Sequence, residues 1–321
     1  MSVQDTLPSW FVVEEAESTR GTQGVFLKAR DCRLSETQPK RELVAIKCIP
    51  RGVAVTGEVQ DEVLTLRQLW HKHFVGFREV FLTKTHLCMV FEYAHRGSVF
   101  DLVRKKRRLP EELSRWVFQQ LITAVDYLHQ LKIVNRDIKL NNLLIDGEGG
   151  CPIVLCDFGF TKLTSVDSDS HLGPGYVAPD FEYRNGKAFD PKAADVWSCG
   201  VCLFYMLYGA FFAVKHNHLE HGRGSYKVPD MEVVIPDRVN GSGDIASEQC
   251  RDFLRKVLEV NPENRITMDE IWTHEWFRKD LPEGSREYNL LTTNSEMLRE
   301  HYGEVQSKDD ILNIIDMAKK P

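Results

Sequence analysis

No apolar run in this 321-residue sequence is long enough to span a bilayer. The longest, Val201 to Val214, is interrupted by Tyr205, Tyr208 and Gly209 and reads as a buried helix. Met1 to Trp10 lacks the basic segment followed by an apolar one that marks a secretory leader. Positive charge is not in excess either. Lys and Arg number 41 against 47 Asp and Glu, and the net charge of −6 gives no global attraction to nucleic acid or anionic membranes. Internal repeats and low-complexity stretches are absent from the sequence. Eight cysteines include the pair Cys199-x-x-Cys202, but no His/Cys pair completes a zinc site. Buried free thiols in a reducing compartment are the expectation. What is left is a soluble, ordinary globular composition, 42% apolar and 27% charged. It is expected to be a monomer of the cytoplasm, the nucleus or both, without nucleic-acid or membrane partners.

The first ninety residues are strand-rich. Val25 to Leu27, Leu43 to Ile49, Gly76 to Leu82 and Leu87 to Tyr93 are short apolar or β-branched runs separated by polar turns. Between the second and third, Val59, Glu62, Val63, Leu66 and Trp70 share one face of a helix over Glu58 to Trp70. From Leu109 onward the period is helical, over Leu113 to Gln130, Asp195 to Gly209, Ser247 to Val260 and Thr267 to Phe277. This order predicts an α+β protein: a small β-sheet lobe with one main helix, joined near residue 94 to a larger, mainly helical lobe. In the tail, Ser307 offers an N-cap and Asp309 and Asp310 an acidic first turn. Ile311, Ile314, Ile315 and Ala318 then form an apolar stripe. A lone helix of this length, about 308–319, is marginal in water and is expected to be docked.

The chemistry-bearing stretch is Asn135-Arg136-Asp137-Ile138-Lys139-Leu140-Asn141-Asn142, followed by Asp157-Phe158-Gly159. It sets two carboxylates, a carboxamide and an ammonium on loops beside short apolar runs. Phosphoryl transfer from ATP needs such a set: Asp137 to accept the proton of an attacking hydroxyl, Lys139 to steady the transferring group, and Asn142 with Asp157 to hold Mg²⁺. Upstream, Lys47 in Val44-Ala45-Ile46-Lys47 suits the α- and β-phosphates, with Glu62 to orient it. A Lys on a strand and a Glu on a helix are by themselves ordinary surface groups. Ahead of Asp137 and Asp157, in that order, they are candidates.

These residues resemble the eukaryotic protein kinases, from about Phe11 to Phe277. Ala178-Pro179-Asp180, Asp195 to Gly200 and Asn261-Pro262-Glu263-Asn264-Arg265 fall in the family's order. The resemblance implies a bilobal fold with an antiparallel N-lobe sheet (about 11–93), a C-lobe (about 95–277) and a regulatory tail (278–321). It implies ATP and Mg²⁺, and protein substrates. Lys139, two residues after the catalytic Asp, resembles the serine/threonine class. The adenine-binding hinge falls at Glu92 to Ala94, with Phe91 as gatekeeper; Ala45 and Leu144 join the ATP-binding set. Asp195 looks like the anchor beneath the catalytic loop, and Asp180 with Arg265 like an ion pair behind the substrate platform.

Finer matches, among them Phe118 to Ile122, His274-Glu275-Trp276-Phe277 and the tail from Gln306 to Ala318, are similar to the plant and algal sucrose-non-fermenting-related kinases of the osmotic-stress subclass. That subclass implies a role in stress signalling, with an upstream kinase and a phosphatase as partners. Its tail helix packs on the helix that carries the Lys-pairing Glu, here Glu62. The long acidic extension of some members does not precede Pro321, so control through it is not expected.

Several positions depart from the family. The glycine-rich loop reads Thr19-Arg20-Gly21-Thr22-Gln23-Gly24, with Thr at the first glycine. Left-handed geometry there would cost about 1–2 kcal/mol. Phe26 stands where a small residue caps adenine, and overfilling a packed site costs about 1–3 kcal/mol. Asn135 replaces a His, Ser98 an acidic residue, and Asp180 a Glu, while 172–176 lacks the usual bridging Thr. Two readings follow. One is a working kinase, slowed by its loop, because Lys47, Glu62, Asp137, Lys139, Asn142 and Asp157 are all kept. The other is a pseudokinase, an interaction module with a partly filled nucleotide pocket. Ser165, Ser168 and Ser170 are candidate activation-loop phosphosites, with Arg136 as the phosphate's partner. Arg104 to Arg108 is a dense basic run that reads as a solvated helix end or as an attractor of acidic peptides.

Overall fold

The computed structural model describes residues 3–21, 24–33, 42–69, 71–146, 153–156, 162–163, 176–179, 190–212, 214–216, 231–237, 246–291 and 306–320. The chain divides into two compact units, Met1–His95 with Asn294–Pro321, and Arg96–Thr293.

The first unit is built on five strands: β1 (Phe11–Gly21), β2 (Gly24–Asp31), β3 (Leu43–Pro50), β4 (Phe77–Leu82) and β5 (His86–Glu92). Every neighbouring pair is antiparallel, in the order β1-β2-β3-β5-β4. The register separates two faces. Leu27 stands opposite Ile46, Ile46 opposite Val90, Ala29 opposite Val44, and Cys48 opposite Cys88. With Phe11 these residues form a buried cluster. Each larger apolar side chain in it contributes about 1.5–3 kcal/mol. Side chains alternate along a strand, so the other face carries Phe26, Lys47 and Met89 in one row and Lys28, Ala45 and Phe91 in the next.

Helix α1 (Gly57–Leu66) follows β3. Thr56 caps it by accepting the Val59 N–H, and Glu58 lies in its first turn. It ends four residues before the sequence pattern suggests. Tighter turns take over, with Gln68 N–H donating to Thr65 O and Leu69 N–H to Leu66 O; Trp70 lies outside the described residues.

The second unit contains α2 (Val99–Lys106), α3 (Glu111–Gln130), β6 (Ile133–Val134), β7 (Leu143–Ile145), β8 (Ile153–Leu155), β9 (Lys162–Leu163) and α4 (Pro191–Tyr208). Beyond them come β10 (Val214–His216), β11 (Met231–Val233), α5 (Glu248–Val257), α6 (Met268–Thr273), α7 (Glu275–Arg278) and α8 (Ser285–Leu291). Helix α3 packs on α4, and α4 on α5. Phe118 is at their centre, edge-on to Phe253 at 5.5 Å and to Phe277 at 6.2 Å. Where the sequence suggests one helix over Thr267 to Phe277, the structure has two. His274 leaves helical geometry, and its Nδ1 accepts the Trp276 N–H to start α7. Buried Asp126 of α3 accepts from Trp272 Nε1 (3.0 Å), Asn289 Nδ2 (3.2 Å) and Gln130 Nε2 (3.0 Å), tying α6 and α8 to α3.

The tail returns to the first unit as α9 (Lys308–Ala318), capped by Ser307. Ile311, Ile315 and Ala318 are buried, and the helix contacts α1, β4 and β5. Its C-terminal end is fixed by the Gly52 N–H donating to Ala318 O at 2.9 Å and by Arg51 Nη2 donating to Met317 O at 3.0 Å. Among the described cysteines, Cys48, Cys88, Cys199, Cys202 and Cys250 are buried free thiols, whereas Cys32 is exposed and Cys156 half-buried. No described helix is long and apolar enough to cross a membrane.

Candidate active site

In the first unit, Lys47 and Glu62 are joined. Lys47 Nζ lies 2.7 Å from Glu62 Oε1, with each side chain only 4% exposed. Strand β3 aims Lys47 away from the apolar cluster, and α1 places Glu62 one turn before its end. Burial makes this pairing strongly interdependent, because either charge left alone would be desolvated without compensation.

The hairpin before β3 carries the glycine-rich segment. Gly21 pairs with Gly24 across a two-residue connection that lies outside the described residues. Gly24 has φ +127°, and a Cβ there would sit 2.3 Å from Cys48 O, so no other residue fits without moving β3. Thr19 is different. It lies within β1. Phe26 is directly opposite Lys47 and half-buried, on the same face as Ala45. Glu92 ends β5, its N–H donating to Gly76 O at 2.8 Å, and Ala94 follows two residues later.

The second unit holds the densest polar cluster. Asp137 is 2% exposed. Lys139 Nζ donates to both its carboxylate oxygens, at 2.9 and 2.7 Å. Asn142 Nδ2 donates to Asp137 O at 3.0 Å and to Asp137 Oδ2 at 2.9 Å. The loop's shape is set from below by Asp195 on α4, which is 1% exposed. One of its oxygens accepts the Asn135 N–H and the other the Arg136 N–H, both at 2.9 Å, and His129 Nε2 lies 2.9 Å from the former. These bonds hold Arg136 at φ +64°, the bend that presents Asp137. The anchoring role implied for Asp195 is thus geometrically met, and His129 joins it unannounced by any motif.

Asn135 Oδ1 accepts the Asp137 N–H at 3.1 Å, so the Asn does find a backbone partner. Its Nδ2 is buried without one among the described residues. Such an unsatisfied donor costs about 1–3 kcal/mol.

Leu144 is the half-exposed residue of β7, between buried Leu143 and Ile145, and bridges to Ser98. Ser98 caps α2: Oγ accepts the Asp101 N–H at 3.1 Å and donates to Asp101 Oδ2 at 2.6 Å. Its hydroxyl is spent locally. Arg265 is buried, donating to the carbonyls of Glu259, Ala193 and Val260 and lying over the Trp197 ring. Asp157, Ser165, Ser168, Ser170 and Asp180 lie outside the described residues. Cys156, immediately before Asp157, donates its N–H to Asn142 O at 2.9 Å.

A buried Lys–Glu pair on one sheet face, and a cluster of buried Asp137 and Asn142 with half-buried Lys139 on a loop anchored by a second Asp, define a phosphotransferase of the protein kinase class. Residues 21–277 match the protein kinase domain, and the chain belongs to that family. It is 38% identical over 285 residues to the serine/threonine-protein kinase SRK2C of Arabidopsis thaliana, covering 88% of this chain and 79% of the relative. Identity is also 38% over 306 residues to the serine/threonine-protein kinase SAPK2 of Oryza sativa, covering 94% and 85%. To SRK2A of Physcomitrium patens it is 38% over 296 residues, covering 89% and 80%.

Proposed function

We propose that the chain transfers the γ-phosphoryl group of ATP to Ser or Thr hydroxyls of protein substrates, with Asp137 as the base. The observation that carries this is the Asp137–Lys139–Asn142 cluster. Asp137 has one carboxylate oxygen shared by Lys139 and Asn142 and the other accepting from Lys139, on a backbone that Asp195 fixes. A substrate hydroxyl entering here can hand its proton to Asp137 while Lys139 turns to the transferring phosphoryl oxygens.

Lys47, held by Glu62, would bind the α- and β-phosphates. Phe26, Ala45, Glu92, Ala94 and Leu144 would line the adenine, and Gly21 and Gly24 would cover the phosphates. Asn142 fits a Mg²⁺ ligand: its amide nitrogen is committed to Asp137, which leaves Oδ1, a hard oxygen donor. With Asp157 it would hold the ion, whose role is to neutralise phosphate charge. Phosphorylation of Ser165, Ser168 or Ser170 by an upstream kinase, reversed by a phosphatase, would order the activation loop on Arg136. The relatives' class supports a role in stress signalling, which would be carried out in the cytoplasm or nucleus.

The test is transfer of labelled γ-phosphate in Mg²⁺, with Asp137→Asn as control. Loss of general-base catalysis predicts a fall of at least about 10²-fold. Nucleotide-dependent stabilisation without transfer would instead establish the pseudokinase reading.

A further inference from the structure

Arg104, Lys105, Lys106, Arg107 and Arg108 end α2 and form the turn after it, and all five side chains are exposed. None has an ion pair or hydrogen bond among the described residues. Two of the nearby acids are engaged elsewhere, while Glu112 is exposed at the start of α3. Asp101, the only acid on α2, is bonded to Ser98. Glu111, across the turn, accepts from Ser247 and from the Trp276 indole. Interaction with the helix dipole accounts for cations in the last turn of α2 but not for Arg107 and Arg108, which lie beyond it.

The backbone under this patch is fixed. Val99, Val103 and Leu109 are buried, and the Leu109 N–H donates to Met206 O at 2.7 Å. Gly209 lies so close that a Cβ on it would stand 1.9 Å from Arg107 O. Arg107 itself has φ +69°, a conformation that favours Gly or Asn. A cation is kept where the backbone would prefer a small residue. On its inner side α2 packs against residues Leu140–Asn142 and β7, the segment that follows Asp137. The eight-residue helix is about 12 Å long, which sets the scale of the patch's displacement from the end of α2 that Ser98 caps beside Leu144.

We propose that Arg104–Arg108 is a specificity site for acidic protein substrates. It engages an Asp/Glu-rich segment displaced from the phosphoacceptor hydroxyl by about four residues or more, the least that an extended chain at about 3.3 Å per residue needs to cover a displacement of about 12 Å. This deepens the kinase reading and rests on it. The charge complementarity is local, because the chain as a whole carries −6. Attraction between exposed charges is screened beyond about 8 Å at physiological salt, so the preference is salt-sensitive.

The experiment uses the full chain and three Ser peptides that differ only in a Glu, Gln or Lys block four to six residues from the Ser. With several exposed pairs worth about a factor of two each, the acidic peptide is expected to have a KM about tenfold below the Gln peptide at low salt, with similar kcat. The charge reversals Lys106→Glu and Arg108→Glu together should erase that difference while leaving kcat/KM for the Gln peptide and the melting temperature unchanged. Equal KM for the Glu and Gln peptides, or a preference that survives the reversal, overturns the proposal. Fluorescence anisotropy of the labelled acidic peptide reads binding without turnover. Charge-reversal-sensitive binding with no transfer to any peptide therefore supports the patch while sinking the kinase reading. Displacement of the peptide as readily by an oligonucleotide or by phosphatidylserine vesicles as by a second acidic peptide overturns the assignment to a protein segment.

Discussion

Gln306 pairs with Val80 as a strand would. Its Oε1 accepts the Val80 N–H at 3.0 Å, and its Nε2 donates to the Val80 carbonyl at 3.0 Å. Val80 is on β4, the last strand of the sheet, whose outer backbone groups otherwise need solvent or a partner. The Gln306 carbonyl in turn accepts from Arg67 Nε at 2.9 Å, just past the end of α1. One residue thus links the tail to both the sheet edge and the Glu62 helix. Gln306→Ala is expected to lower stability by about 1–3 kcal/mol and to speed amide exchange at Val80. Gln306→Glu should do more harm, since it sets a second acceptor against the Val80 carbonyl. Urea unfolding of the full chain orders the two variants.

Lys47→Met takes the ammonium partner from the buried Glu62 carboxylate. The expected loss is about 3–5 kcal/mol, together with activity. Adding Glu62→Leu removes the stranded charge and should return most of the stability but none of the transfer. A double-mutant cycle in urea, with activity read in parallel, separates the two effects.

Asn135 offers a gain. Asn135→His replaces an amide with an orphaned Nδ2 by a ring whose nitrogen can still accept the Asp137 N–H, so stability should rise by about 1 kcal/mol and kcat with it. Asn135→Leu removes the acceptor as well, and should destabilise by a similar amount. If both variants move the unfolding midpoint in the same direction, the unsatisfied amide is not the cause.

Burial pushes the Asp126 carboxyl up, against the opposing bonds from Asn289, Trp272 and Gln130 and the Arg286 charge. The folded state therefore holds its proton to higher pH than the unfolded chain, whose carboxyl has the ordinary value of 3.8. Its contribution to stability is fully present below that value and is lost as pH rises through the raised folded value. Wild-type stability minus that of Asp126→Asn should thus decline as pH is raised above about 4. Unfolding curves at a series of pH values test the sign.

The reactive residues were legible because phosphoryl transfer constrains both their types and their order. Asp137, Lys139 and Asn142 meet at hydrogen-bond distance, and Lys47 finds Glu62. Four of the sheet's strands announced themselves by apolar or β-branched runs. β1 did not: Glu14, Glu15, Glu17 and Arg20 dilute any period in an edge strand that is paired on one side only. Helix α2 was legible only at its end, where Arg104 to Arg108 reads as a solvated helix end; its short apolar part, Val99 to Val103, shows too little period to mark its start. The break at His274 depends on a side-chain cap that periodicity does not register. The support around Asp137 was half visible: Asp195 belongs to a motif, whereas His129 is one of several buried polar residues of α3 and no motif singles it out.

The antiparallel register assigns Leu27 to one face of the sheet and Phe26 to the other. A change of size at residue 26 therefore does not enter the packing that holds the strands together. Selection can enlarge or shrink residue 26 while the opposite face and the buried Lys47–Glu62 pair keep the unit folded. That separation explains how a chain can accumulate substitutions around a nucleotide-facing surface and still keep its architecture. It also makes residue 26 a position that can be evolved in the laboratory toward altered nucleotide analogues with little loss of folded protein.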